Sequence, residues 1–190
     1  MDGYLPDQKT ILLEPLLLRI AHTAATHNKK YYIGGGFAID LACGGISRPH
    51  DDVDFYPLEA DASWWNEWFN EQGYITSVDT DMVPLLHVFL VSQQNVSATG
   101  TEALADVYPI AAGSSGDISM AVHPGTTEVW DGMLAIQNGR GTWPGKTWQN
   151  VRSIEYKGQQ VFVEDCRAVL AQKDAYIRLH PGENWRQAHT

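Results

Sequence analysis

The chain has 190 residues, 44% of them hydrophobic, with 23 acidic against 13 basic side chains and a formal net charge of −10. That length and apolar content suit one domain with a real core, or a compact domain with a helical extension, and exclude a disordered chain. The acidic balance disfavours a broad nucleic-acid surface, which needs cations against phosphates, and favours attraction of a cationic small molecule. No apolar run approaches a membrane span, and the leader Met1 to Asp7 lacks the basic and apolar regions of a signal peptide, so a cytoplasmic protein is expected. Cys43 and Cys166 stand far apart without a CxxC or a His cluster and read as two reduced thiols.

Apolar residues at Ile11, Leu12, Leu16, Leu17, Ile20 and Ala21 predict an amphipathic helix over Gln8 to His27. Lys29 to Ile33 reads as a short strand that stops at three glycines, and Phe37 to Leu41 as a helix that starts from them. A strand at Val53 to Tyr56, a helix at Trp64 to Gln72 and a strand at Tyr74 to Val78 follow. On the second of these helices Trp65 and Trp68 share a face that should pack against a sheet.

Leu85 to Val91 and Ala103 to Ile110 are β-prone runs separated by a polar segment, a candidate hairpin extending the same sheet. Gly113 to Gly116 and Gly139 to Gly145, the latter enclosing Trp143 and Pro144, read as loops. Trp130, Trp143 and Trp148 are candidates to line a substrate groove. Ser153 to Tyr156 and Gln160 to Val163 flank Lys157-Gly158 as a second hairpin, and Glu164 to Leu179 carries a helical pattern. No internal repeat is present. The division expected is a core over 1–112 and a C-terminal extension over 113–190 that completes a substrate cleft.

The chemistry concentrates between Gly35 and Asp54. Asp52 and Asp54 are two apart on a strand pattern, so their carboxylates share a face and repel unless a cation neutralises them. Magnesium suits such oxygen donors. Gly35 and Gly36 lead from a strand into a helix, where glycine admits a phosphate to the backbone and the helix N-terminus offers N–H groups and a positive dipole. Arg48 and His50 add candidate phosphate contacts.

Two-ion phosphoryl or nucleotidyl transfer needs a third acid. Asp106 is the leading one, as an acid in the otherwise apolar run Leu104-Ala105-Asp106-Val107-Tyr108-Pro109, where it could serve as metal ligand or as general base toward an acceptor hydroxyl. Asp117 and Asp131 lie in loop-like sequence and attract less weight.

The segment Gly35 to Asp54 resembles the signature of the polymerase-β-like nucleotidyltransferases, and specifically that of the small aminoglycoside 2″-nucleotidyltransferases and related lincosamide enzymes. Phe37-Ala38-Ile39-Asp40 and Arg48-x-His50-x-Asp52-Val53-Asp54 follow that order, and Asp106-x-x-Pro109 resembles the region of the third carboxylate. The likeness is strongest over residues 31 to 57, weaker to Pro109, and diffuse from Val163 to Lys173. Gly125 to Trp148 has no counterpart in it.

The resemblance implies an α/β nucleotidyltransferase fold with a mixed, largely antiparallel sheet flanked by helices and a small C-terminal helical and hairpin part. It implies two magnesium ions held by Asp52, Asp54 and Asp106, a nucleoside triphosphate, ATP by preference, cradled at Gly35 and Gly36, and Lys173 as a further phosphate contact. The acceptor is expected to be a small hydroxyl-bearing molecule of the aminoglycoside type, as in antibiotic resistance, without membrane or nucleic-acid partners. A protein or RNA acceptor, as in toxin-type relatives, and a catalytically silent nucleotide-binding module are the alternatives.

Overall fold

The computed structural model describes Leu5 and residues 7–79, 85–90, 103–113, 117–121, 135–143, 151–167 and 169–170. Helix α1 (Gln8–Thr26) starts where the Asp7 carboxylate accepts a hydrogen bond from Thr10 N at 2.7 Å, satisfying one of the orphan donors of the first turn. Its buried residues Leu13, Leu16, Leu17, Ile20, Ala21 and Ala24 follow the three-to-four spacing of one helix face. Each fully buried leucine or isoleucine of that stripe contributes about 1.5–3 kcal/mol. The helix ends as Asn28 turns left-handed at φ 52°.

Strand β1 (Tyr31–Ile33), helix α2 (Gly35–Ala42), strand β2 (Val53–Pro57), a 3-10 turn (Glu59–Asp61), helix α3 (Ala62–Glu71) and strand β3 (Tyr74–Asp79) come next. They are followed by β4 (Leu85–Leu90), β5 (Ala105–Val107), β6 (Ile110–Ala112), β7 (Ile118–Ala121), β8 (Ala135–Gln137), β9 (Arg140–Trp143), β10 (Arg152–Tyr156) and β11 (Gln159–Val163). A seven-stranded sheet has the order β10-β11-β1-β2-β5-β4-β3, and a four-stranded sheet the order β6-β7-β9-β8. In the larger sheet β1 with β11 and β2 with β5 run parallel and the other pairs antiparallel, so the sheet is mixed and largely antiparallel, as expected.

Three expectations are corrected. The β-prone run from Ala103 to Ile110 is not one strand: Ala105–Val107 joins the large sheet, and after Tyr108 and Pro109 the chain enters the small one at Ile110. Proline lacks the N–H a ladder needs, which accounts for the break. Within the Gly139 to Gly145 segment, expected as a loop, Arg140–Trp143 is a strand that pairs with both β7 and β8. Trp143 is buried in a small apolar cluster with Tyr56, Ile110, Ile118 and Met120 and therefore packs a core instead of lining a groove. Trp130, Trp148 and most of the Glu164 to Leu179 helical pattern lie outside the described residues.

The period of two along each strand sorts the large sheet's faces. Tyr31 and Ile33, Val53 and Phe55, Leu86 and Val88, Ala105 and Val107, and Val161 and Val163 all join one apolar core with α1, α2 and α3. Trp65 and Trp68 are in it, and the Trp65 ring meets Phe55 edge-on at 4.8 Å. The residues between these positions, including Asp54, Tyr56, His87 and Asp106, are left for the opposite face.

The second hairpin forms as expected, with Lys157 and Gly158 both at positive φ (47° and 79°) as a two-residue turn between antiparallel strands requires. It joins the large sheet: β10 is an edge strand, and β11 pairs in parallel with β1. Lys157 Nζ to Glu14 Oε1 at 2.6 Å, and the Tyr156 hydroxyl donating to the same carboxylate, tie the hairpin to α1.

Candidate active site

Three neighbouring strands bring the acids together. β2 and β5 run parallel with Asp54 opposite Asp106, and β4 runs antiparallel to β5 with His87 opposite Asp106. Residues in register across adjacent strands project from the same face, so His87, Asp106 and Asp54 form a lateral row. Asp52 immediately precedes β2 and lies within the field of both carboxylates. Burial first, then the charges of Asp54 and Asp106, push its carboxyl from 3.8 to about 8.

The glycine turn faces this row. Gly34 N donates to Asp54 O at 2.9 Å, and α2 begins at Gly35. A Cβ on Gly35 would stand 1.6 Å from Asp54 Oδ2, and its φ of +54° is the left-handed conformation that favours glycine. The first turn of α2, with the N–H groups that a helix leaves unpaired, therefore abuts the acids. At Gly36 a Cβ would meet Arg48 Nη2 at 2.4 Å and His50 Nδ1 at 2.8 Å. Bare backbone at both positions keeps the cradle narrow.

The two basic residues before the acids have different tasks. The Arg48 side chain is 43% exposed, so its guanidinium can meet a ligand at the α2 N-terminus. His50 is buried, stacked on Phe37 at 3.9 Å, and its Nε2 is 3.0 Å from Asp40 Oδ2. Burial outweighs the Asp40 hydrogen bond and lowers its pKa, so the neutral ring donates Nε2–H to Asp40. Asp40, also buried, further accepts from Ser47 N at 2.8 Å and Ser47 Oγ at 3.2 Å. His50 thus holds the loop between α2 and β2, and only its Nδ1 side is turned toward Gly36. Lys173 lies outside the described residues, as does Asp131, and Asp117 immediately precedes β7, where its carbonyl accepts from Gly113 N at 2.7 Å.

Nothing in the sequence marks His87 or Glu164 as part of a site. His87 Nδ1 is 2.7 Å from Asp106 Oδ1, with side-chain exposures of 11% and 15%. A single histidine between Leu86 and Val88 does alternate with them, but only strand register reveals its partner. Glu164 is fully buried just after β11, where its N–H donates to Ile33 O at 2.8 Å, its carboxylate lies beside Gly34 and its charge acts on the Tyr56 phenol. Tyr56 and Tyr108, each two residues beyond an acid of the row, stack at 5.2 Å. Desolvation, followed by neighbouring carboxylates, raises both phenols well above their usual range.

As a donor set, three carboxylates of which one is strongly destabilised as an anion suit a hard divalent cation such as magnesium. Among the described residues no group of three His, Cys, Asp or Glu side chains is gathered closely enough to hold a metal ion as they stand.

The large mixed sheet, with a glycine turn and helix laid over an acidic row, defines a protein of nucleotidyltransferase fold. Residues 16–97 match the model of the aminoglycoside-2″-adenylyltransferase family. No curated protein matches the sequence. Among solved structures, lincosamide antibiotic adenylyltransferase LnuA with lincomycin bound is 18% identical with a TM-score of 0.62, covering 86% of this chain and 87% of its own. ANT(2″)-Ia in complex with adenylyl-2″-tobramycin is 18% identical with a TM-score of 0.60, covering 93% and 82%. The resemblance read from Gly35 to Asp54 is borne out in the family match and in the fold.

Proposed function

We propose that the chain is a magnesium-dependent nucleotidyltransferase that moves a nucleoside monophosphate, by preference from ATP, to a hydroxyl of a small antibiotic of the aminoglycoside or lincosamide type. The observation that carries this reading is the register of Asp54 opposite Asp106 on parallel strands, with Gly35 packed on Asp54 and Asp52 inside the field of both acids. The family match over 16–97 supports the acceptor class, and so does the net charge of −10, which attracts a polycation.

Asp52, Asp54 and Asp106 are the residues that would hold magnesium, which when bound supplies charge neutralisation and orientation of the phosphates. The α2 N-terminus, with glycine at 35 and 36, binds the triphosphate through backbone N–H groups, and Arg48 adds a charged contact. Asp106 takes the proton of the acceptor hydroxyl as that oxygen attacks the α-phosphorus, and pyrophosphate departs. Lys173 is proposed as an additional phosphate contact, and a cytoplasmic location follows from the reaction's need for nucleoside triphosphate. Among the described residues no helix is long and apolar enough to cross a membrane.

The test is pyrophosphate release with magnesium and each nucleoside triphosphate across a panel of aminoglycosides and lincosamides, comparing the parent with Asp52→Asn and Asp106→Asn. Acceptor-dependent release by the parent that falls by about 10²-fold or more in both variants is expected. Undiminished release in both would reject the site. Nucleotide binding without any transfer would leave a silent module.

A further inference from the structure

We propose that His87 is a positioning residue for Asp106: its imidazole engages Oδ1 of that carboxylate and so fixes the orientation in which Oδ2 is presented. The catalytic consequence rests on the nucleotidyl-transfer reading, whereas the contact itself rests on geometry alone. β4 is antiparallel to β5 with His87 directly opposite Asp106, and Asp106 is directly opposite Asp54 on β2, so Asp106 stands between the histidine on one side and a second acid on the other. Nδ1 and Oδ1 are 2.7 Å apart, within the range of a charge-assisted hydrogen bond.

A carboxylate on a strand can swing about χ1 and χ2, and both sides of Asp106 in the row differ in kind. On the Asp54 side stands another anion, which pushes it away, and on the β4 side stands a donor, which holds it. The imidazole must carry its proton on Nδ1 to serve this carboxylate, which leaves Nε2 as the acceptor nitrogen in the neutral ring. Hydrogen-bonded supports of this kind commonly alter metal affinity or activity by about 10–100-fold when lost. A purely structural histidine in a sheet would change stability without changing how Asp106 meets its ligands.

The experiment uses the full chain with His87→Leu, which fills the site without a donor, and His87→Asn, whose amide nitrogen occupies the place of Nδ1. Three readouts are taken: the ¹⁵N tautomer signature of His87 in the parent and in Asp106→Asn, Mn²⁺ binding with a non-hydrolysable ATP analogue, and kcat against acceptor KM. We expect an Nδ1–H tautomer in the parent that Asp106→Asn perturbs. His87→Leu should weaken Mn²⁺ binding and lower kcat by about 10–100-fold, with KM changed by less than about threefold and most of the loss restored in His87→Asn.

An Nε2–H tautomer in the parent, or Mn²⁺ binding and kcat in His87→Leu within about twofold of the parent, would overturn the proposal. Should His87→Leu not fold, His87→Asn is compared with His87→Gln, whose amide falls at the Nε2 place, and equal Mn²⁺ affinity of the two overturns it. A parent that releases no pyrophosphate with any acceptor counts against the functional reading. The tautomer and Mn²⁺ measurements still decide the role of His87.

Discussion

At Gly35 two constraints coincide, a backbone φ of +54° and a position where a Cβ would stand 1.6 Å from Asp54 Oδ2. Gly44 has φ +105° with nothing within 4 Å of its Cβ direction. Gly44→Ala should therefore meet only the backbone cost, about 1–3 kcal/mol. Gly35→Ala adds a collision with the Asp54 carboxylate and should lose more stability in urea denaturation, together with nucleotide binding by calorimetry.

Asp52 makes the opposite case, a residue whose native chemistry works against the metal-free fold. Its folded carboxyl is raised from 3.8 to about 8, so between those values the folded state holds a proton that the unfolded state has released. Stability without divalent cation should consequently fall as pH rises across that window. Asp52→Asn, which cannot ionise, should flatten the slope and be more stable than the parent in chelator at pH 8, as read from thermal melts at several pH values, while transfer activity is lost. A parent no steeper than Asp52→Asn would refute this account of the acidic row.

Among the elements, the loop joining α2 to β2 decides where Arg48 and the acids stand, and Asp40 is its anchor. Asp40 accepts from Ser47 N, Ser47 Oγ and His50 Nε2, while the His50 backbone N–H donates to Thr10 Oγ1 at 3.0 Å and so joins the loop to α1. Removing a buried acceptor leaves those donors without their partner. Asp40→Ala should cost about 3 kcal/mol in urea denaturation and weaken nucleotide binding, although Asp40 is not among the three acids. Much of this local structure is legible in sequence. The Gly35 turn, the short helix and the Asp52-Val53-Asp54 alternation need only helix and strand periods. The sorting of His50 from Arg48 is not, because an imidazole buried against Phe37 and an exposed guanidinium look alike as two basic residues before an acidic pair.

For the molecule as a whole, two side-chain links among the described residues, beside the Leu58–Ile110 β-bridge, tie the small sheet to β2 and the turn after it. One is the apolar cluster in which Tyr56 meets Ile110, Ile118, Met120 and Trp143, and the other is the Arg140 fork on Glu59, with Nη1 to Oε1 at 2.8 Å and Nη2 to Oε2 at 3.3 Å. Glu59 is nearly half exposed, and such ion pairs contribute about 0–1 kcal/mol, whereas truncating a buried tryptophan costs about 3–5 kcal/mol. Arg140→Ala should therefore barely change the urea midpoint, and Trp143→Ala should lower it strongly. Comparable losses in the two variants would mean that the ion pair, not the apolar cluster, carries the contact.

Residue spacing was enough for the elements whose periods are local: the α1 stripe from Leu16 to Ala21, the glycine turn, the second hairpin and the tryptophan face of α3, whereas Ile11 and Leu12, expected in that stripe, are exposed. The sequence also singled out Asp106, because an acid in an apolar run has few structural uses. It took the folded chain to place β5 beside β2 in parallel register, to bring His87 on β4 onto Asp106, and to send the segment after Asp106 into a second sheet. Local preferences act over a few residues and are written in residue spacing. Strand order and register depend on pairings between segments tens of residues apart, which spacing along one chain does not specify.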